Sequence, residues 1–115
     1  MTILMCIVMT FSSLSTVEDR AIEIATSHDS VLRCECIYYE DIAYVAMITI
    51  PLRASDRRTL VYSVEKSLDR EGLSHRVMID DGAYYLIKRT KESQDYEECI
   101  KRLNVIYDRR NFNYG

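Results

Sequence analysis

Residues 31–50 read VLRCECIYYEDIAYVAMITI, two runs rich in β-branched and aromatic residues that meet at Glu40-Asp41. Runs of this kind on either side of a short polar turn form antiparallel hairpins. Registering them around the turn puts Cys34, Cys36 and Tyr38 on one face with Val45 and Met47. Arg33, Glu35 and Ile37 fall on the opposite face with Tyr44, Ala46 and Ile48. A loop of four residues in place of two leaves these faces unchanged, because the shift is even. Pro51 ends the second strand.

Residues 74–90, SHRVMIDDGAYYLIKRT, read as a second hairpin. Its turn is placed at Asp81-Gly82, a dipeptide suited to the positive φ angles of a type I′ turn. Val77, Ile79, Tyr84 and Leu86 then share one face. Arg76, Met78, Tyr85, Ile87 and Arg89 share the other.

Amphipathic helices separate these blocks. Ser15-Thr16-Val17-Glu18 spells a capping box, and Val17, Ala21, Ile24, Ala25 and His28 follow at helical spacing, predicting a helix over Thr16–His28. In the next helix Ser55 is the expected N-cap, and Leu60, Val61, Val64 and Leu68 form the apolar stripe. Gly72 is placed for the left-handed position past its end, with Leu73 packing back on Leu68. A third helix over Lys91–Tyr107 presents Tyr96, Cys99, Ile100, Leu103 and Ile106 on one side. Residues 108–115 are polar and aromatic and read as a partly ordered tail.

At the other end, residues 3–9 are a run of seven apolar residues. That is too short for a membrane-spanning helix, which needs about 20. No lysine or arginine precedes Arg20, so a secretory n-region is missing as well. Residues 2–10 read as a buried strand.

The expected order is β-α-β-β-α-β-β-α within a single domain, residues 1–115. It predicts an α+β fold, a two-layer sandwich of antiparallel β-hairpins and helices. The first six elements follow the order of a ferredoxin-like plait. Sequential order does not fix spatial order, so a related, less common arrangement is the alternative.

The net charge of −3 supplies no general attraction to nucleic acid or anionic membrane. The cysteines Cys6, Cys34, Cys36 and Cys99 sit in apolar stretches without the spacing of a secreted disulfide scaffold or a zinc knuckle. They read as buried thiols, and the chain as a cytoplasmic protein in a reducing compartment, with no metal or other cofactor. No phosphate loop, dinucleotide fingerprint or nucleophile elbow is present, which argues against an enzyme. His28 suits the C-terminal end of a helix, and His75 the edge of a core.

Three function classes remain. The second sheet face keeps Ile37, Tyr44, Ala46, Ile48, Met78, Tyr85 and Ile87, more apolar surface than an open face carries. A small interaction module, self-associating or docking a protein partner there, is the first reading. Its interface residues would be Ile37, Tyr44, Ile48, Tyr85 and Ile87, with Arg33, Arg76 and Arg89 at the rim. Intramolecular cover by residues 91–107 is the competing explanation for the same face. In the second class, nucleic acid stacks on sheet tyrosines beside these arginines. In the third, Glu40-Asp41 and Asp80-Asp81 hold a hard divalent cation for hydrolysis. Turn chemistry alone explains the acidic pairs, and β-propensity explains the tyrosines.

Overall fold

The computed structural model describes residues 16–114, and the predicted strand over residues 2–10 lies outside them. The described chain is an α+β fold of four helices and a three-stranded sheet. Its elements are α1 (Thr16–Thr26), β1 (Val31–Tyr39), β2 (Ile42–Thr49), α2 (Ala54–Arg70), β3 (Ser74–Ile79), α3 (Asp81–Ser93) and α4 (Tyr96–Tyr114). α4 thus runs past Tyr107, where the sequence pattern places its end.

The first hairpin forms in the predicted register. Cys34 pairs with Met47, Cys36 with Val45, Ile37 with Tyr44 and Tyr39 with Ile42. Glu40 and Asp41 both hold positive φ, 49° and 66°, as a two-residue turn requires. α2 ends as its sequence demands. The Leu73 N–H reaches the Leu68 carbonyl at 3.1 Å, and the Gly72 N–H reaches that of Asp69 at 2.9 Å. Gly72 sits at φ 75°, so this is a Schellman ending. At its other end, α2 begins two residues before the expected Ser55, on an Arg53 whose side chain makes no capping bond.

Residues 74–90 are not a second hairpin. Ser74–Ile79 is a strand, but it pairs parallel to β2, with Val45 beside Val77 and Met47 beside Ile79. The chain then turns into α3. Asp80 is its N-cap, accepting the Ala83 N–H at 2.7 Å, and Gly82 lies in the first turn of the helix rather than in a β-turn. The face of α3 that meets the sheet is Ala83, Tyr84, Ile87 and Thr90, a helical spacing inside a stretch that also alternates. Replacing Asp80 by alanine is expected to cost about 1 kcal/mol, the usual loss for an N-cap, with asparagine restoring most of it. Urea denaturation of the two variants checks this. Equal stabilities would argue against the cap.

The strand order is β1-β2-β3. A ferredoxin-like plait is a split β-α-β unit with another strand inserted between its parallel pair. Here β2 and β3 are hydrogen-bonded directly, so the described sheet is not that plait. The described order is α-β-β-α-β-α-α.

Helices lie on both faces of the sheet. α1 and α2 pack Ala21, Ile24, Ala25, Leu60, Val61, Val64 and Leu68 against Cys34, Cys36, Ala43, Val45, Met47 and Val77. α1 and α2 thus form one helical layer against the sheet. α3 and α4 then pack Ala83, Tyr84, Ile87, Cys99 and Leu103 against Ile37, Tyr44, Ala46 and Met78 on the second face. α3 stops at Gln94, a left-handed residue with φ 63°, which turns the chain back into α4.

Candidate functional site

The second sheet face is filled by the chain itself. Ile37, Tyr44 and Ile87 are buried between the sheet and α3 and α4. Of the other residues expected at an interface, Ile48 is partly buried at the margin of that core. Tyr85 is exposed on the outer side of α3, edge-to-face with Tyr84 at 5.0 Å. Arg76 donates to the Asn104 Oδ1 at 2.8 Å and lies over the Tyr107 ring, tying β3 to α4. Arg89 is exposed and lines a cleft between α3 and α4. Arg33 is exposed on β1. The expected residues therefore do not form one surface.

What remains open on the hairpin is the end where β1 begins and β2 finishes. The pairing slips between Val31 and Arg33, a β-bulge that takes Leu32 out of the alternation. Leu32 is left 61% exposed, and Ile50, next along β2 from the Thr49 that pairs with Val31, is 43% exposed. The two are held together because Val31 pairs with Thr49 and the Ile50 N–H donates to the Ser30 carbonyl at 3.0 Å. Ile48 and Arg33, paired with each other, complete the group. Alternation alone would turn Leu32 into the core beside Cys34, so only the bulge reveals it. Ile50 carries no such ambiguity. It stands between the strand and Pro51, where an apolar residue has little to pack on.

Further along β1, charged side chains close the strand's outer edge. Glu18 of α1 accepts the Tyr38 N–H at 2.9 Å; Ser15, the other half of the expected capping box, lies outside the described residues. Lys91 of α3 binds Glu35 at 2.9 Å and approaches the same Glu18 to 3.7 Å. Glu18 and Lys91 come from helices on opposite faces, so the cluster wraps around the edge strand. Burial opposes the Lys91 charge, but the hydrogen bond and charge of Glu35, with the charge of Glu18, outweigh it and raise the pKa of the ammonium.

The cleft between α3 and α4 measures about 540 Å³ and mixes Arg89 and Arg102 with Glu92, Asp95 and Glu98. Arg102 is already bound to Glu98 at 3.2 Å. Near its base Cys99 is buried. Desolvation pushes its thiol up, and a hydrogen bond with Thr90 offsets part of the rise.

Two sequence readings find no assembled site. Tyr44 and Tyr84 are buried, and both sheet faces carry helices, so the tyrosines form no open stacking platform. The acidic pairs lie at opposite ends of β2. Glu40-Asp41 precedes Ile42, which pairs with Ser74, whereas Asp80-Asp81 follows Ile79, which pairs with Met47. Five residues of strand separate them by about 16 Å. Asp80 is moreover occupied as a helix cap. No group of metal-binding side chains occurs among the described residues. His75 is partly buried and bonds Asp69 at 2.7 Å, with Glu65 at 3.8 Å on its other nitrogen, a contact that anchors β3 to α2.

No protein-family model, curated protein or solved structure matches this chain.

Proposed function

We propose that the chain is a small interaction module that acts by binding rather than by catalysis, docking a protein partner on the open end of the first hairpin. The observation that carries this is the pair of large apolar side chains, Leu32 and Ile50, exposed together beside Ile48. Single exposed apolar residues are ordinary, but adjacent ones rimmed by a charged residue such as Arg33 mark contact surfaces. Apart from Tyr38 at the far end, the other large apolar residues of the hairpin are buried or partly buried inside the chain. The described thiols are free and buried, which supports a reducing, cytoplasmic setting. No helix among the described residues is long and apolar enough to cross a membrane.

The test is a double variant, Leu32→Lys with Ile50→Lys. Both positions are exposed, so stability is expected to change by no more than about 0.5 kcal/mol each. Immobilised wild-type protein should retain a discrete partner, or a second copy of itself, that the double variant releases. Identical retention by both proteins would overturn the assignment of this surface.

A further inference from the structure

The outer edge of β1 carries hydrogen-bonding groups that no neighbouring strand among the described residues uses. Because Tyr38 turns its N–H away from β2 to meet Glu18, the alternation of an antiparallel ladder turns those of Cys36 and Cys34 the same way. β1 is an edge strand of the described sheet. Yet Cys36 is fully buried and Cys34 is 8% exposed, so this length of edge is covered rather than presented to water. Among the described residues, the side chains that reach it are Glu18 and Lys91, held to Tyr38 and Glu35. Charged cover of this kind is a known way of keeping edge strands from pairing.

The sequence under the cover is self-complementary. Two β1 strands set antiparallel with Cys34 opposite Cys34 would pair regularly over residues 33–35, up to the bulge at Leu32. Arg33 of each chain would then stand opposite Glu35 of the other. The outward-facing Cys34 occupies the hydrogen-bonded position in this register, and the bulge at Leu32 ends the regular ladder on either side. Arg33 and Glu35 occupy the close, non-hydrogen-bonded ones. A two-fold axis through Cys34 makes both charge pairs at once, as an isologous interface requires. The Arg33 side chain makes no hydrogen bond or ion pair among the described residues and is exposed, ready for such a partner.

We propose that Glu18 and Lys91 form a removable cover on the edge of β1, and that the edge beneath pairs antiparallel about Cys34 with a second copy of this chain. This goes beyond the Leu32–Ile50 surface and concerns the outer edge of β1. Removing the cover transfers Glu35 from Lys91 of its own chain to Arg33 of the other. The cover thus sets how readily the dimer forms.

Sedimentation equilibrium on three proteins tests this. Lys91→Met keeps the aliphatic stem and removes the charge, and it should self-associate at least about tenfold more tightly than wild type. Adding Arg33→Glu sets like charges across the axis twice and should return the protein to monomer. Adding Glu35→Arg as well restores opposite charges and should restore the dimer. Circular dichroism confirms folding, and Lys91→Gln, which likewise removes the charge that holds Glu35, replaces Lys91→Met if the latter is poorly folded. A folded, monomeric cover variant would overturn edge pairing but leave the Leu32–Ile50 surface to its own test. A dimer indifferent to Arg33→Glu would overturn the register about Cys34.

Discussion

Replacing Ile87 by alanine is expected to destabilise the protein by about 2–5 kcal/mol, the range for truncating a buried isoleucine. Ile87 is fully buried in the cluster formed by α3, α4 and the second sheet face. Its removal leaves a cavity in a cluster that also holds Tyr44, Met78 and Leu103, residues from three different elements whose packing resists collapse. On a hairpin with an open face the same side chain would be half-solvated, and its truncation would cost well under 2 kcal/mol. Tyr85→Ala two residues away is the control. Tyr85 is 50% exposed, so little beyond its edge-to-face contact with Tyr84 is lost. Denaturant titrations of both variants against wild type separate the alternatives. Similar small effects at both positions would mean that α3 does not close the face.

The origin of the hairpin expectation shows what the sequence makes legible. In residues 31–50 alternation, β-branched residues and a two-residue turn agree, and the register follows without further information. Gly72 with Leu68 and Leu73 is equally unambiguous, since few backbones other than a helix end use that pattern. Between residues 74 and 93 two periods overlap. His75 to Ile79 alternates, whereas Ala83, Tyr84, Ile87 and Thr90 repeat at helical spacing. Asp81-Gly82 is a strong turn signal, but Asp80 one position earlier is an equally good helix cap. Tyrosine and isoleucine tip the local preference to strand. Tertiary packing decides the other way, because the apolar second face needs a cover. The excess of apolar residues on that face was readable from the first hairpin alone. That half of its cover lay in the presumed second hairpin was not. The same limit holds for the candidate surface. Arg33 and Ile48 are legible by alternation. Leu32 is not, because a bulge leaves no compositional mark.

Stability is expected to fall steeply as pH rises from 9 towards 12. Burial pushes the Cys34 thiol from its usual 9.0 up to about 12, with the Glu35 charge adding to the effect. Cys36 is raised further, again chiefly by burial, and the Lys91 ammonium is raised above 10.5. All three groups hold their protons more tightly folded than unfolded. Above pH 9 the unfolded chain therefore binds fewer protons than the folded one, and stability must decline with pH. The contribution is present in full below pH 9 and is lost progressively up to the folded values. For Cys34 alone, three pH units correspond to about 4 kcal/mol. That is a large part of the 5–15 kcal/mol typical of a whole domain. Chemical denaturation at pH 8, 9, 10 and 11 should show a falling midpoint, and a Cys34→Ala/Cys36→Ala variant a flatter profile from a lower start. An unchanged midpoint from pH 8 to 11 would mean that the thiols are not desolvated. The same burial makes Cys34, Cys36 and Cys99 poor nucleophiles, since only the thiolate reacts. At pH 8 they are expected to react with an aromatic disulfide reagent slowly in the native protein and at once in denaturant.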